Sequence, residues 1–230
     1  GSEEHHEPGQ DLHAVNAGRR AAIGRLAALG WLSALPAQAQ LEALIVTAKP
    51  SVVAVGVFSP TGSPRFGFRG SGFVVGSGNW VVTNAHVLPD VIPAGGTEGT
   101  LAIVAPKLGV SENASMRAAK LLGVDREHDL ALLQIDGAPL PALPLAEAAP
   151  AREGAAVAII GQGSFDIYQL DATAYPGNSG GPVLEVETGK VIAVINMVLV
   201  KGSKESAISH PSGISYAIPV RFVSELLKGR

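Results

Sequence analysis

The chain has no cysteine among its 230 residues, which excludes a disulfide framework, a cysteine nucleophile and thiolate metal ligands. It also lacks basic runs, and its net charge of −3 argues against a nucleic-acid-binding surface. The apolar run at residues 26–35 is too short to cross a bilayer as a helix. These absences predict a protein without nucleic-acid partners and without a transmembrane span.

What the chain does contain is typical of β structure. It is 47% hydrophobic, with 28 glycines and 16 prolines separating many short Val/Ile-rich runs. A chain of this length can bury the core of one large β domain or two small ones. The fold class predicted from composition is therefore all-β.

The first chemical feature is a histidine at the end of a predicted hairpin. Residues 70–75 and 80–83 read as two strands joined by a turn at 76–79, and the second strand runs into His86. A single histidine after a strand is usually structural. His86 is nevertheless a candidate base, because it closes an apolar strand ahead of a serine motif.

Residues 89–120 read as a long surface excursion with one strand at 101–104. A polar turn then ends in Asp129, which leads directly into the apolar segment 130–135. A carboxylate at this junction can be held against an imidazole, although a turn or capping aspartate is the common alternative. The neighbouring His128 is expected to point the opposite way along an extended chain and is not assigned a catalytic role.

Ser179 lies in the small-residue segment 176–183. Gly177 allows a sharp turn in which its own N–H and that of Ser179 can point at one spot, and Gly180 and Gly181 leave room for an incoming carbonyl. The alternative is an ordinary glycine-rich turn between strands. A nucleophilic serine is the interpretation that the other two motifs favour.

The three candidates follow one another as His86, Asp129 and Ser179, separated by 43 and 50 residues. This is the chain order of the chymotrypsin-type triad. The surrounding motifs resemble those of the HtrA/Deg-like trypsin-fold serine proteases: Thr-Asn-Ala-His-Val at 83–87, Asp-Leu-Ala-Leu-Leu at 129–133 and Gly-Asn-Ser-Gly-Gly-Pro at 177–182. Segments 49–53, 70–73 and 213–219 are also similar to that family, and the likeness covers about residues 45–225.

The resemblance implies two six-stranded antiparallel β-barrels and a short C-terminal helix. The first barrel is expected at about residues 45–138, a linker at 139–150, the second barrel at 151–220 and the helix at 221–229. Residues 1–44 form the expected N-terminal tail, in which 19–39 read either as a secretory signal or as an amphipathic docking helix using Ile23, Leu26 and Leu29. The signal-like run and the resemblance together predict a periplasmic or otherwise extracytoplasmic location.

The mechanism that the resemblance implies is peptide hydrolysis through an acyl-enzyme. Ser179 would be the nucleophile, His86 the general base and Asp129 the residue that orients the imidazole. The oxyanion hole would be formed by the loop of Gly177, Asn178 and Ser179, through the N–H groups of the first and last. No metal and no organic cofactor are expected.

Substrate preference is expected to depend on a pocket that the resemblance places around Thr173, at its base, and Ile195, Asn196 and Met197, along its wall. Trypsins have aspartate at the position of Thr173, so a basic P1 residue is not expected. Glutamyl endopeptidases have threonine at the position of Ala174, which disfavours an acidic one. Small or medium apolar P1 residues are the prediction.

Two departures from the family pattern are visible. The chain ends at Arg230, leaving no room for the PDZ domain that many members carry, so a protease domain without a PDZ domain is expected. In the family, a surface loop and a strand occupy the place that the eight residues 161–168 occupy here. This difference predicts either a tightened barrel or a segment missing from this sequence.

The expected partners are polypeptide substrates, unfolded proteins among them, and the resemblance suggests a homotrimer. Two other functions remain open at this point. The first is a latent or non-catalytic peptide-binding or chaperone module on the same fold. The second is a hydrolase of esters or other non-peptide acyl groups.

Overall fold

The computed structural model describes residues 1, 37–92, 99–106, 115–147, 155–161, 177–196 and 216–229. The chain divides into two compact units, residues 1–37 and 38–230, and all described residues except Gly1 and Ala37 lie in the second. The described residues contain two α-helices, α1 (Ala37–Ala48) and α2 (Val220–Lys228). Their ten strands are β1 (Val52–Phe58), β2 (Phe66–Val75), β3 (Trp80–Asn84), β4 (Thr100–Ala105), β5 (Ser115–Asp125), β6 (Leu130–Ile135), β7 (Val157–Ile159), β8 (Pro182–Glu185), β9 (Val191–Asn196) and β10 (Tyr216–Pro219).

The first six strands form a closed antiparallel barrel in the order β1-β2-β3-β6-β5-β4. Strand β6 has an almost continuous apolar run because it is buried on both faces. In β6, Ala131 and Leu133 belong to one apolar cluster, whereas Leu130 and Leu132 belong to another. The six-stranded first barrel predicted from the sequence is confirmed.

The remaining strands form a four-stranded antiparallel sheet in the order β10-β9-β8-β7. Leu184, Val191 and Val194 of this sheet share a cluster with Leu130 and Leu132 of the barrel. The outer face of the barrel and the inner face of the sheet are thus buried against each other, which joins the two β layers through one apolar core. Residues 162–176 and 197–215, where further strands of the second barrel are expected, lie outside the described residues.

Helix α2 closes this core, as the sequence predicted for the end of the chain. Val220 and Val223 are buried in the cluster shared by barrel and sheet, and the helix contacts β5, β6, β9 and β10. The helix therefore touches both β layers.

Helix α1 was not predicted at its observed position. Leu44 and Ala48 lie four residues apart on one helical face and pack on the same core, while the proline-containing turn Lys49–Ser51 leads into β1. The candidate docking residues Ile23, Leu26 and Leu29 lie outside the described residues. Among the residues that are described, no helix is both long enough and apolar enough to span a membrane.

The structure corrects the interpretation of residues 89–120 as a surface excursion with one strand. Strand β5 begins at Ser115 and runs to Asp125, paired with both β4 and β6. Its first half was missed because its side chains are mostly polar or small, and the backbone pairing on both sides holds it in the barrel instead. The sequence predicts that residues 161–168 are too few to form the loop and strand that the family has there. All of these residues except Gly161 lie outside the described part.

Candidate active site

His86 lies in a short 3-10 turn, Ala85–Val87, that directly follows β3. Four of the five residues of β3 are buried, and the strand pairs with β2 on one side and β6 on the other. Beyond the turn, the guanidinium of Arg69 donates hydrogen bonds to the carbonyls of Val87 and Leu88 at 2.6 and 2.9 Å. The imidazole itself is 39% exposed. A strand fixed on both sides therefore presents it at the surface.

Asp129 ends the four-residue turn between β5 and β6 and has a φ of 51°. Aspartate adopts this left-handed conformation more readily than most non-glycine residues. Its Oδ1 accepts a hydrogen bond from the backbone N–H of His86 at 2.9 Å, and its Oδ2 accepts one from Nδ1 at 2.6 Å. Because an ionised carboxylate only accepts, Nδ1 carries the proton and Nε2 is left as an acceptor.

The backbone carbonyl of Asp129 holds the same segment. It accepts hydrogen bonds from the N–H of Ala85 at 3.1 Å and from Nδ2 of the buried Asn84 at 3.0 Å. Side chain and main chain of Asp129 together accept four hydrogen bonds from residues 84–86. The position and the tautomer of the imidazole are thus set by one residue.

Burial by itself raises the pKa of the Asp129 carboxyl, because desolvation disfavours the charged form. Hydrogen bonds from the side chain and backbone of His86, the charge of its imidazole and a backbone hydrogen bond from Ala85 act in the opposite direction. These contributions outweigh burial, and the pKa of Asp129 is lowered below its usual range. The carboxylate is consequently ionised at neutral pH.

Ser179 lies in a turn ahead of β8 and is held on the barrel through backbone groups. The N–H of Ser71 donates to the carbonyl of Ser179 at 2.8 Å, and Oγ of Ser71 donates to the carbonyl of Gly177 at 2.6 Å. Oγ1 of the buried Thr83 donates in turn to the carbonyl of Ser71 at 2.6 Å. Thr83 precedes His86 by three residues, so one chain of hydrogen bonds joins the serine loop to the strand that carries the histidine.

Gly180 shows how closely this loop approaches the barrel. Its φ is 86°, and a Cβ there would meet the carbonyl of Ser71 and lie 2.5 Å from Oγ1 of Thr83 and 3.1 Å from the N of Asn84. A side chain at Gly70 would similarly lie 3.0 Å from the carbonyl of Ser179. Both glycines are required because backbone packs directly on backbone at this point.

The loop leaves two candidate oxyanion donors open. The N–H groups of Gly180 and Gly181 donate to the carbonyls of Ile195 and Asn178 at 3.0 and 2.8 Å. The structure pairs neither the N–H of Gly177 nor that of Ser179 with an acceptor among the described residues. No hydrogen bond joins the Ser179 hydroxyl to the imidazole of His86 in that part of the chain either.

Of the predicted pocket residues, Thr173 and Met197 lie outside the described part. Ile195 is brought next to the serine loop by its backbone, whose N–H donates to the carbonyl of Gly181 at 2.9 Å, while its side chain is buried against Val183. Asn196 ends β9, and its buried Oδ1 has no hydrogen-bond partner among the described residues. The structure therefore connects one of the predicted pocket residues to the loop of Ser179 through backbone pairing.

An open cleft of about 390 Å³ lies beside His86 and Asp129. Its walls combine apolar and charged side chains, among them Leu88, Ile92, Leu121, Val124, Asp90 and Arg126. His86 and Asp129 therefore border an open cleft on the surface of the barrel. No group of three His, Asp or Glu residues able to hold a metal occurs within the described ranges.

His128 takes no part in this arrangement and instead binds Asp125, through Nδ1 and Oδ2 at 2.7 Å. The prediction that it is separate from the candidate triad agrees with this geometry, but the reason was wrong, because residues 126–129 form a turn and not an extended chain. Sequence reasoning also did not identify Arg69, Ser71 or Thr83. The residues next to them in the sequence do not indicate hydrogen-bond partners that lie far along the chain.

A family model for the trypsin-like peptidase domain matches residues 70–166. A "Probable periplasmic serine endoprotease DegP-like" from Chlamydia muridarum is 32% identical over 184 residues, covering 70% of this chain and 33% of that protein. A protein of the same name from Pseudomonas fluorescens is 29% identical over 174 residues, covering 66% of this chain and 32% of that protein. The chain spans about a third of the length of these curated relatives.

The crystal structure of the serine endoprotease from Yersinia pestis matches the fold with a TM-score of 0.61 at 23% sequence identity. The match covers 82% of this chain and 65% of that one. The resemblance inferred from the motifs is confirmed by these similarities. This chain carries a trypsin-like peptidase domain and is homologous to the DegP/HtrA serine endoproteases.

Proposed function

We propose that this protein is a serine endopeptidase in which Ser179, His86 and Asp129 form the catalytic triad. The observation that carries the proposal is the paired hydrogen bond from His86 to the two oxygens of Asp129, at 2.9 and 2.6 Å. This pairing fixes the imidazole with Nε2 as the free base. The serine loop is bonded to Ser71 of β2, which is bonded in turn to Thr83 of the strand that ends just before His86, and this supports Ser179 as the nucleophile.

The chemistry follows from these positions. Nε2 of His86 takes the hydroxyl proton as Oγ of Ser179 attacks the scissile carbonyl, and the proton later passes to the leaving amine. The imidazolium that forms is stabilised by the ionised Asp129, whose lowered pKa keeps it charged. Water then hydrolyses the acyl-enzyme, with His86 again acting as the base.

The N–H groups of Gly177 and Ser179 are the proposed oxyanion donors. The φ of 104° at Gly177 requires a residue without a side chain, and neither N–H is engaged by a described acceptor. Removal of one such donor typically lowers kcat by about 10²–10³-fold. Asn178 lies between the two and is part of the same loop.

The pocket for the P1 side chain is proposed to lie against Thr173 and the end of β9, at residues 195–197, with small or medium apolar residues preferred. Its support is the backbone pairing of Ile195 with the serine loop. The second barrel is proposed to contain six strands, of which β7 to β10 form the described sheet.

Location and partners also remain proposals. Curated relatives are named periplasmic serine endoproteases, which supports an extracytoplasmic location for this chain. Polypeptides, unfolded proteins among them, are the proposed substrates. A homotrimer is proposed from the family resemblance, and light scattering on the purified protein would test it by giving three times the mass of the chain.

A latent peptide-binding module is the second candidate, favoured by the lack of a hydrogen bond between Ser179 and His86. Such bonds are often long in free enzymes and tighten when substrate binds, so the observation is compatible with catalysis. Casein cleavage together with labelling by a fluorophosphonate probe separates the two functions. An endopeptidase cleaves casein and is labelled at Ser179, whereas a latent module binds peptide but does neither.

A further inference from the structure

A second His–Asp pair lies in the turn that carries Asp129. The backbone N–H of His128 donates to Oδ1 of Asp125 at 3.0 Å, and its Nδ1 pairs with Oδ2 at 2.7 Å. This repeats the two-point pattern with which His86 binds Asp129. The side chains of the second pair are only 29% and 26% exposed. The arrangement is thus a semi-buried element of the fold and not a loose surface contact.

The pair closes the turn on which the candidate triad depends. Asp125 is the last residue of β5 and faces Leu130, the first residue of β6, so the four residues between them form the whole connection. Asp129, the last of the four, needs its left-handed backbone in order to accept hydrogen bonds from residues 84–86. The bonds from His128 to Asp125 hold the other end of the turn and limit its movement.

His128 is also held from outside the turn. Its ring stacks on Phe222, with centroids 3.6 Å apart and planes inclined by 20°. Phe222 lies on α2 between Val220 and Val223, which are buried in the core shared by the barrel and the four-stranded sheet. The ring of His128 is therefore fixed by a carboxylate on one strand and an aromatic ring on a firmly packed helix.

We propose that His128 is a positioning residue for the hydrolytic reaction, acting with Asp125 and Phe222 to fix the turn that aims Asp129 at His86. It contacts neither the nucleophile nor the imidazole. The proposal rests on the function proposed for His86 and Asp129. Displacement of a catalytic group by about 1 Å can lower the rate by about 10²-fold, so a support of this kind affects kcat.

Two substitutions separate the contacts of His128. His128→Asn keeps a side-chain N–H donor within reach of Asp125 but removes the ring, whereas His128→Phe keeps a ring on Phe222 but removes the side-chain donor. Each is expected to lower kcat on a peptide substrate by about 10-fold with KM changed less than about 2-fold, because substrate binding does not involve the turn. Asp125→Asn combined with His128→Phe is expected to be no worse than His128→Phe alone, since the two residues act as one unit.

A readout independent of turnover is the far-downfield proton resonance of the hydrogen bond between His86 and Asp129. We expect it to shift or broaden in both variants of His128. Lys120→Ala is the matched control, because Lys120 lies on β5 and, within the described residues, its side chain forms only an exposed ion pair with Asp136 at 3.9 Å. That variant is expected to keep wild-type kcat and an unchanged resonance.

The outcomes distinguish this proposal from the proposed function. If Ser179→Ala is inactive but both variants of His128 retain kcat within 2-fold and leave the resonance unchanged, the positioning role is wrong and the triad stands. If Ser179→Ala remains active, the triad is wrong, and an unchanged resonance would reject the positioning role as well. Should the variants of His128 fail to fold, Phe222→Leu keeps an apolar side chain on the helix but removes the stacked ring. Wild-type kcat with an unchanged resonance in that variant would overturn the proposal.

Discussion

The two parts of the candidate site are held in different ways. The segment of His86 is held by side chains of the barrel and its turns. Asp129 accepts hydrogen bonds from His86, and Asn84 donates one to the carbonyl of Asp129. Arg69 donates to the carbonyls of the two residues that follow His86. The loop of Ser179 belongs to the four-stranded sheet region and is held mainly through its own backbone groups. The proposed base therefore depends on particular side chains, whereas the proposed nucleophile depends on glycines that allow its backbone to approach the barrel.

The largest expected effect is that of Ser179→Ala, which removes the proposed nucleophile and is expected to leave the fold unchanged. We expect kcat to fall by about 10⁶-fold while the free energy of unfolding stays nearly unchanged. Peptidase assays and urea denaturation measure the two quantities. Retention of a tenth of wild-type activity would contradict the assignment of Ser179.

Asp129→Asn tests the side-chain half of the comparison. An amide at this position can donate to Nδ1 of His86 and so favours the wrong tautomer, and we expect kcat to fall by about 10⁴-fold. Asp136→Asn, on the same hairpin but exposed, is the control and should retain wild-type kcat. Equal activity in the two variants would mean that Asp129 does not orient the base.

Gly180→Ala tests the backbone half. A Cβ would combine an unfavourable positive φ with contacts against Ser71 and Thr83, and we expect a loss of about 2–3 kcal/mol in the free energy of unfolding. Gly189→Ala is the matched control, since Gly189 has a φ of 67° but its Cβ would meet only Leu44 Cδ1, at 3.4 Å. That variant should lose only about 1 kcal/mol in chemical denaturation. An equal loss in the free energy of unfolding in the two variants would show that the close approach of Gly180 to the barrel does not affect stability.

The smallest expected effect is on stability in acid. The pKa of Asp129 is lower in the folded protein than the unfolded value of about 3.9, so the unfolded chain binds more protons in this range. The stability that the charged carboxylate contributes is complete well above that value and is lost as pH falls through the folded pKa. Urea denaturation from pH 6 to pH 3 should accordingly show a weaker pH dependence in Asp129→Asn than in wild type. Equal slopes would contradict the lowered pKa of Asp129.

Much of the site could be predicted because its signals are local. The apolar strand ending at His86, the polar turn before β6 and the glycines around Ser179 each occupy a few consecutive residues. The first half of β5 and helix α1 were missed because their stability comes from pairing and packing with distant segments. Ser71, Thr83 and Arg69 were missed for the same reason, since their partners are identified only once the barrel closes.

The sequence by itself determined which groups are available for catalysis, in which chain order they occur and where the backbone can do without side chains. These features could be predicted because glycine placement and strand periodicity are local patterns, which depend only on residues close together in the sequence. Tertiary structure alone decided that Asp129 faces His86 and that Phe222 stacks on His128. Such contacts form between segments far apart in the chain, and their directions are set when the barrel, the sheet and helix α2 bury a common core.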